Sequence, residues 1–219
     1  KLIERCLALG RRALVLVPEI SLTPQMILRL KSRFGRRVAV QHSALNHTER
    51  LLQWQMIQDG GADIVVGTRS AVFAPLENIG LVIIDEEHEG AYKSETAPRY
   101  DAREVAKVRA DMSRAAVVLG SATPSVESYY LAEQGEYKLL TLTKRAKENS
   151  RLAGVHIVDL REELAEGNRS IFSRRLKGLI EDRLANRQQV MLFMNRRGYA
   201  GFVSCRSCGK AMKCPHCDV

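Results

Sequence analysis

Short, wholly apolar runs alternate with helix-like segments through most of the chain, and this alternation constrains the fold more than any other feature. The runs predicted to be strands are 13–17, 38–40, 64–66, 81–84 and 115–119. The segments predicted to be helices are 24–34, 48–59, 102–112 and 124–134. Strands that are apolar on both sides are buried on both faces, as in a parallel sheet covered by helices. The pattern predicts an α/β fold with a doubly wound parallel sheet, whose ligand site lies at the carboxyl ends of the strands.

A charged segment interrupts this pattern and suggests a division into domains. Residues 144–152 are polar and charged, so we place an inter-domain linker at 146–152. The first domain then comprises residues 1–145. The parts expected after the linker are the start of a second α/β domain at 153–203, with strands at 155–158 and 189–194 and a helix near 173–185, and part of a metal-binding module at 204–219.

Two carboxylates directly follow the apolar run 81–84, where a buried strand would deliver them to the edge of the sheet. Asp85 is suited to hold the magnesium ion of a nucleotide, usually through water. Glu86 is suited to orient and deprotonate an attacking water molecule. A solvated acidic turn after a strand is the plainer alternative, which these residues alone leave open.

Hydroxyl side chains follow the next strong apolar run, in the segment Gly120-Ser121-Ala122-Thr123. In a doubly wound sheet, Ser121 and Thr123 should lie beside the two carboxylates. There they can bond His88 and relay the state of the nucleotide to another surface. Taken alone, such hydroxyls before a helix proline more often cap the helix. The acidic segment at this spacing favours the catalytic interpretation.

The segment after the run 64–66 has the composition of a phosphate contact. The hydroxyls of Thr68 and Ser70 and the guanidinium of Arg69 suit contact with a nucleic-acid backbone without reading bases. An ordinary turn between a strand and a helix is the alternative.

A second segment of this kind interleaves aromatic and basic residues, with Tyr92 and Lys93 at its start and Tyr100 at its end. Aromatic faces stack on bases, and cations meet phosphates. A surface loop anchored by its tyrosines is an equally good interpretation.

The charge balance supports a polyanionic partner. The sequence has 34 lysines and arginines against 25 acidic residues, a formal net charge of +9, and neutralising phosphates releases counterions. A basic surface that only keeps the protein soluble explains the charge equally well. No apolar run approaches the roughly twenty residues of a membrane span, and the first residues are unlike a signal peptide. We therefore expect a soluble cytoplasmic protein with no membrane partner.

Four of the five cysteines form two Cys-x-x-Cys pairs, Cys205 with Cys208 and Cys214 with Cys217. Such clustering argues against a disulfide scaffold and for zinc, because each pair resembles a zinc knuckle. One ion held by all four thiolates is possible but tight, because only five residues separate the pairs. His216 could also be a ligand, although the interpretation that we prefer is that it fills space within the knuckle.

Taken in order, these motifs make the chain resemble the DEEH-type DNA helicases of superfamily 2, and among them the primosomal replication-restart helicases. Asp85-Glu86-Glu87-His88 resembles motif II, and Gly120-Ser121-Ala122-Thr123 resembles motif III. The other segments that resemble this family are 16–25, 42–46, 67–75, 193–199 and the cysteines that follow.

The resemblance implies a first RecA-like motor domain of an ATP-dependent helicase that moves 3′ to 5′ and restarts stalled replication forks. It implies ATP, Mg²⁺ and Zn²⁺ as cofactors, and forked DNA, primosome proteins and single-strand binding protein as partners. It also implies DNA contacts from the loop that holds Pro18 and Thr23. A loop around Tyr92 to Tyr100 would couple DNA binding to ATP hydrolysis. Each cysteine pair would share one of two zinc ions with later cysteines.

The sequence contains no Gly-x-x-x-x-Gly-Lys-[Ser/Thr] phosphate loop. We expect that loop to precede Lys1, and we therefore expect the chain by itself not to hydrolyse ATP. Two alternatives stay open: an ATP-driven translocase on duplex DNA that does not separate strands, and a DNA- or partner-binding module without ATPase activity.

Overall fold

The computed structural model describes residues 1–18, 24–144 and 153–193, and the chain divides into two compact units, Lys1–Thr141 and Leu142–Val219. The described strands of the first unit are β1 Arg12–Leu16, β2 Val38–Gln41, β3 Ile64–Gly67, β4 Ile79–Ile84 and β5 Ala116–Leu119. Its described helices are α1 Leu2–Ala8, α2 Pro24–Phe34, α3 His47–Gln58, α4 Ala102–Ser113 and α5 Val126–Glu133. Every strand and helix predicted for this part is present, with ends within two residues of those expected.

The described strands form one sheet in the order β2-β3-β1-β4-β5, and every neighbouring pair is parallel. The central strand is β1, with β3 and β2 on one side and β4 and β5 on the other. Because the strands are parallel, all their carboxyl ends meet at one edge of the sheet. The doubly wound α/β class predicted from the sequence is confirmed.

Helices cover both faces of the sheet, and the strands supply apolar side chains to each face in alternation. Leu14 and Leu16 belong to a core with residues of α3 and α4. Val15 and Val17 belong to a second core with residues of α1 and α2. A strand buried on both faces needs the continuous apolar run that the sequence provides.

A close approach of two strands fixes the end of β3. A Cβ atom on Gly67 would lie 2.3 Å from the carbonyl oxygen of Gln41 and 2.5 Å from the Cβ of Ala71. The next residue, Thr68, donates its backbone N–H to the same Gln41 oxygen at 3.1 Å. Glycine is therefore required where the chain leaves β3 and enters the loop at the carboxyl edge.

The described part of the second unit contains two helices, α6 Leu160–Ala165 and α7 Arg174–Ala185. The Glu163 carboxylate joins them, because it accepts hydrogen bonds from the Asn168 side chain at 2.6 Å and the Arg174 backbone N–H at 3.1 Å. The helix predicted near 173–185 is α7.

The strands predicted for this unit are not formed within residues 153–193. Residues 155–158 form no strand, and the side chain of Ile157 is 96% exposed. The prediction at 189–194 fails in the same way over its described residues, 189–193. A strand needs a neighbour for its backbone N–H and C=O groups, and residues 153–193 provide none. Apolar runs alone were therefore insufficient evidence for strands here.

Two other predictions lie outside the described residues. These are the linker at 146–152 and the metal-binding module at 204–219, so the domain boundaries stay predictions. Within the described ranges, no helix is long and apolar enough to cross a membrane.

Candidate active site

Backbone hydrogen bonds join the ends of three strands at the centre of the carboxyl edge. Asp85 donates its N–H to the carbonyl of Leu16 at 2.9 Å, which links the end of β4 to β1. Gly120 donates to Ile84 at 2.8 Å and accepts from Glu87 at 3.0 Å, which links β4 to β5. The acidic segment and the hydroxyl segment of the sequence are thus neighbours, as a doubly wound sheet requires.

Asp85 and Glu86 present their carboxylates at this edge in different ways. Asp85 is exposed, and its Oδ1 accepts the backbone N–H of Glu86 at 3.1 Å. Glu86 adopts a left-handed backbone with φ of 46°, which is unusual for a residue with a side chain. Its side chain is 41% exposed, and Oε2 lies 3.7 Å from His88 Nδ1. The Asp85 carboxylate is therefore exposed to solvent, and the Glu86 carboxylate is partly exposed and lies beside the imidazole of His88.

A glycine, Gly120, borders the exposed Asp85 carboxylate. A Cβ atom on Gly120 would lie 3.4 Å from Asp85 Oδ1 and 3.7 Å from the carbonyl oxygen of Ile84. Carboxylate oxygens with room for water are the ligands that Mg²⁺ prefers. The donor at this position therefore fits a hydrated magnesium ion.

His88 connects the acidic segment with the hydroxyl segment. Its Nδ1 is hydrogen bonded to Ser121 Oγ at 2.7 Å. Ser121 Oγ in turn accepts the backbone N–H of Thr123 at 3.0 Å. The structure thus brings His88, Ser121 and Thr123 together, with Thr123 on the exposed side.

Glu87 was not singled out in the sequence, yet it is the buried carboxylate of the segment, with 1% of its surface exposed. Its oxygens accept hydrogen bonds from the backbone and hydroxyl of Ser125 at 2.6 and 3.1 Å, and from Ser128 Oγ at 2.9 Å. Its carbonyl oxygen accepts from Arg103 Nη1 at 2.7 Å. Glu87 therefore joins the acidic segment to both α4 and α5.

Tyr92 is placed in the core, which corrects the expectation that it stacks on bases. Its surface is only 1% exposed, so its ring presents no face to a base. Its hydroxyl donates towards the carbonyl oxygens of Asp85 at 2.6 Å and Leu16 at 3.1 Å. Burial, with the negative charge of Asp85 next in importance, raises the pKa of this phenol. Tyr92 therefore stays protonated and fastens the ends of β1 and β4.

A cleft of about 240 Å³ lies beside this site and collects most of the residues predicted to contact DNA. Its described lining includes Pro18, Thr68, Arg69 and Ser70. Pro18 and Thr68 are largely buried, whereas Ser70 is exposed. Loops that follow β1 and β3 thus meet at a single concave surface.

Arg69 also holds the loop of residues 93–100 against this cleft. Its Nη1 donates to the carbonyl oxygen of Lys93 at 2.6 Å and to that of Ala91 at 3.4 Å. Its guanidinium lies 5.8 Å from the ring centroid of Tyr100. The Tyr100 ring packs edge-on against Phe73 with centroids 4.9 Å apart. Lys93 and the tip of the loop are exposed, while Tyr100 is partly buried.

The remaining predicted site residues cannot be placed, because they lie outside the described residues. These are Thr23, Cys205, Cys208, Cys214 and Cys217. Among the residues that the structure does describe, no group of three or more His, Cys, Asp or Glu side chains could hold a metal ion.

Comparison with known proteins places this arrangement in a family. The pattern of the DEAD/DEAH box helicase family matches residues 2–131, which include β1 to β5 and the segments 85–88 and 120–123. The chain belongs to the DEAD/DEAH box helicase family. The resemblance to superfamily 2 helicases inferred from the motifs is thereby confirmed.

Individual replication restart proteins are similar along nearly the whole chain. The replication restart protein PriA of Bacillus subtilis is 53% identical over 217 residues, which cover 99% of this chain and 27% of that protein. The PriA of Synechocystis is 48% identical over 96% of this chain and 26% of its own length. The PriA of Haemophilus influenzae is 42% identical over 99% of this chain and 29% of its own length. The chain thus spans little more than a quarter of the length of these relatives.

Solved structures are similar to part of this chain. RecG bound to a three-way DNA junction is 25% identical, with a TM-score of 0.39, and the match covers 58% of this chain and 16% of RecG. The Hef helicase domain of Pyrococcus furiosus is 15% identical, with a TM-score of 0.35, over 59% of this chain and 26% of that one.

Proposed function

We propose that this chain is part of an ATP-driven, cytoplasmic DNA helicase that separates strands in the 3′ to 5′ direction and acts in the restart of stalled replication forks. The observation that carries the proposal is the grouping of Asp85, Glu86, His88 and Ser121 at one edge of the sheet. Because the chain belongs to the helicase family, we expect this group of residues to act on ATP with Mg²⁺. The similarity to replication restart proteins supplies the fork-restart role.

Each residue of the edge has a task in ATP hydrolysis under this proposal. Asp85 would hold Mg²⁺ through water, and the bound ion would neutralise phosphate charge. Glu86 would orient the attacking water and accept its proton, because its side chain is 41% exposed and is therefore accessible to water. The imidazole of His88 would hold Glu86 and Ser121 in fixed positions relative to each other. Its Nδ1 lies 3.7 Å from Glu86 Oε2 and 2.7 Å from Ser121 Oγ.

The cleft beside the edge is the proposed contact with the DNA backbone. Thr68, Arg69 and Ser70 provide hydroxyl, amide and guanidinium donors, and these recognise phosphates rather than bases. Lys93 and Arg99 are exposed on the adjacent loop and add positive charge. Arg69 anchors this loop through the Lys93 carbonyl, and Tyr92, which precedes the loop, donates to the Asp85 carbonyl. DNA bound in the cleft would therefore lie beside residues that are bonded to the acidic segment.

Further features of the proposal rest on similarity to the replication restart proteins. We propose zinc as a structural cofactor held by the cysteine pairs 205/208 and 214/217. We also propose primosome proteins and single-strand binding protein as partners and forked DNA as the substrate.

The central test is Glu86→Gln in the full-length helicase, which keeps the shape of the side chain and removes its basicity. We expect ATP turnover to fall by several orders of magnitude while ATP binding is retained, because loss of the base affects the chemical step. Glu77→Gln is the matched control, since Glu77 is exposed at the opposite end of β4. Turnover within about tenfold of wild type, a barrier change of only ~1.4 kcal/mol, would contradict the role of Glu86.

The same preparations distinguish the alternatives. A helicase separates the strands of a fork only with ATP and an intact Glu86. ATP-dependent displacement of a third strand from duplex DNA without strand separation would indicate a translocase instead. DNA binding with no ATP turnover in the wild type would indicate a binding module.

A further inference from the structure

The second glutamate of the acidic segment has no task in the hydrolysis described above. Glu87 points away from the solvent-facing edge and is buried. Both of its carboxylate oxygens are engaged, Oε1 by the Ser125 backbone N–H and Oε2 by the hydroxyls of Ser125 and Ser128. All three contacts come from the start of α5.

Polar contacts of this kind attach the first turn of α5 to the acidic segment. The helix has no buried residue, and Val126 in its first turn is exposed. Ser125 is its N-cap and accepts the backbone N–H of Ser128 at 3.2 Å. The Glu87 carboxylate is added to this cap, and its negative charge is favourable at a helix start. Directional bonds to one side chain therefore fix the first turn of α5, while the apolar residues of the helix are at most partly buried, as Leu131 and Ala132 are.

The turn that carries Glu86 is anchored on both sides. Before it, Asp85 is bonded through its N–H to Leu16 and through its carbonyl to the Tyr92 hydroxyl. After it, the backbone of Glu87 is bonded through its N–H to Gly120 and through its carbonyl to Arg103. Glu86 lies between these anchors with a left-handed backbone. A shift of Glu87 would therefore turn the backbone that aims the Glu86 carboxylate.

From this arrangement we propose that Glu87 is a positioning residue. It ties the first turn of α5 to the acidic segment, so that the position of α5 sets the position of the Glu86 carboxylate. The inference rests on the proposed ATPase function and adds a connection to it. The segment 120–125, which runs from the hydroxyl segment into α5, thus contacts the acidic segment at three residues: Gly120 accepts the Glu87 backbone N–H, Ser121 is bonded to His88, and Ser125 is bonded to the Glu87 carboxylate.

The chemistry of the side chain argues against a purely space-filling role. Burial of a carboxylate is costly unless hydrogen bonds compensate for the lost water. A residue that only filled this volume could be apolar without that cost. Three donors converge on Glu87 within 3.1 Å, and such charge-assisted bonds fix direction as well as distance.

The test compares Glu87→Gln with Ser128→Ala in the full-length helicase. The Gln variant keeps the volume but places an amide NH₂ where one oxygen now accepts two hydroxyls. The Ala variant removes one of those hydroxyls and leaves the Ser125 cap intact. Glu127→Gln is the matched control, because Glu127 is exposed in the same helical turn and its change removes the same charge. Thermal melting confirms that each variant is folded.

We expect Glu87→Gln to lower kcat about 10- to 100-fold, because a misplacement of about 1 Å at a reacting group costs on that order. KM for ATP should stay within about twofold, since ATP is not contacted. Ser128→Ala should act in the same direction, and the double variant should be no slower than Glu87→Gln. Glu127→Gln should match wild type.

Either of two results for kcat would overturn the inference alone: wild-type kcat in Glu87→Gln while Glu86→Gln is inactive, or strictly multiplicative effects in the double variant. Multiplicative effects would mean that the two side chains act independently. A loss confined to KM would also overturn it. A wild-type helicase without ATP turnover would instead remove the proposed function, and this inference with it.

Discussion

Replacement of Tyr92 by Phe removes a single buried oxygen at the junction of β1 and β4. The ring stays, so no cavity is created. The lost hydroxyl donates towards Asp85 O at 2.6 Å and Leu16 O at 3.1 Å. The Leu16 oxygen retains a partner, because it also accepts the Asp85 N–H at 2.9 Å. The Asp85 oxygen loses its short bond to the phenol, so the main cost comes from that one carbonyl.

The expected cost follows from the loss of this partly buried hydrogen bond, whose donor belongs to a ring that is only 1% exposed. A buried acceptor left without its donor costs about 1–3 kcal/mol. For a unit of this size each kcal/mol corresponds to a Tm decrease of about 2–4 °C. We therefore expect Tyr92→Phe to lower the free energy of unfolding by about 1–3 kcal/mol.

Urea unfolding followed by tryptophan fluorescence measures this change in the first unit. The sequence has a single tryptophan, Trp54, and it lies in α3 of that unit. Tyr130→Phe is the matched control, because the Tyr130 side chain on α5 is 58% exposed. That control should change the free energy of unfolding by less than about 0.5 kcal/mol.

Two results would refute the reasoning about Tyr92. If Tyr92→Phe is as stable as wild type within about 0.5 kcal/mol, the hydroxyl does not fasten the two strands. If Tyr130→Phe is destabilised to the same extent, the effect is not specific to the buried contact.

The remaining predictions concern a close backbone approach and the cysteines. Gly67→Ala should destabilise the first unit by about 1–3 kcal/mol or more, because its Cβ would lie 2.3 Å from the backbone oxygen of Gln41. Gly90→Ala is the control and should not change the stability, because its Cβ would have no neighbour within 4 Å. Equal stabilities of the two variants in urea unfolding would refute this prediction. The full-length helicase should contain two zinc ions by metal analysis, with the cysteine pairs at 205/208 and 214/217 serving separate ions and becoming alkylated only after chelation. Cys6 should resist alkylation both before and after chelation, because it is buried and its thiol donates to Arg12 O. In contrast, one stoichiometric zinc that protects all four clustered thiols in the 219-residue chain would favour a single closed site.

The sheet of the first unit was predictable because the apolar runs of the sequence match the burial that the fold imposes on its strands. Its strands are buried on both faces, so each is a continuous apolar run that ends in polar residues at the carboxyl edge. The segments 85–88 and 120–123 could be placed together for the same reason, since parallel neighbouring strands end at one edge. The helix starts were less certain: α5 begins after Ser125 rather than at Pro124, because the serine is the N-cap.

Two features of the site depend on tertiary contacts that periodicity does not encode. Tyr92 lies in a polar stretch with Lys93, which is the composition of an exposed loop. Its ring turns inward because two carbonyl oxygens at the strand ends receive its hydroxyl. Glu87 looks like one more acidic residue in a solvated turn, and its partners Ser125 and Ser128 lie 38 and 41 residues away. A serine pair three apart at a helix start was the only available signal.

The second unit shows the limit of strand prediction from apolar runs. The runs at 155–158 and 189–193 have the right composition, yet neither is paired in the described part of that unit. A strand is defined by its neighbour, and the identity of that neighbour is not written in the run itself. Helix α7 could be predicted because its hydrogen bonds are internal.

A helix attached through one carboxylate can also be released locally. The free energy needed to open part of a protein depends on the apolar area that the segment buries, and regions with little such area open far below the global unfolding limit. Helix α5 has no fully buried residue, and its first turn is bonded to Glu87. The acidic segment beneath it is anchored in the sheet core. An interaction that competes for the bonds between Glu87 and the first turn of α5 would therefore change the position of the helix without loosening the sheet.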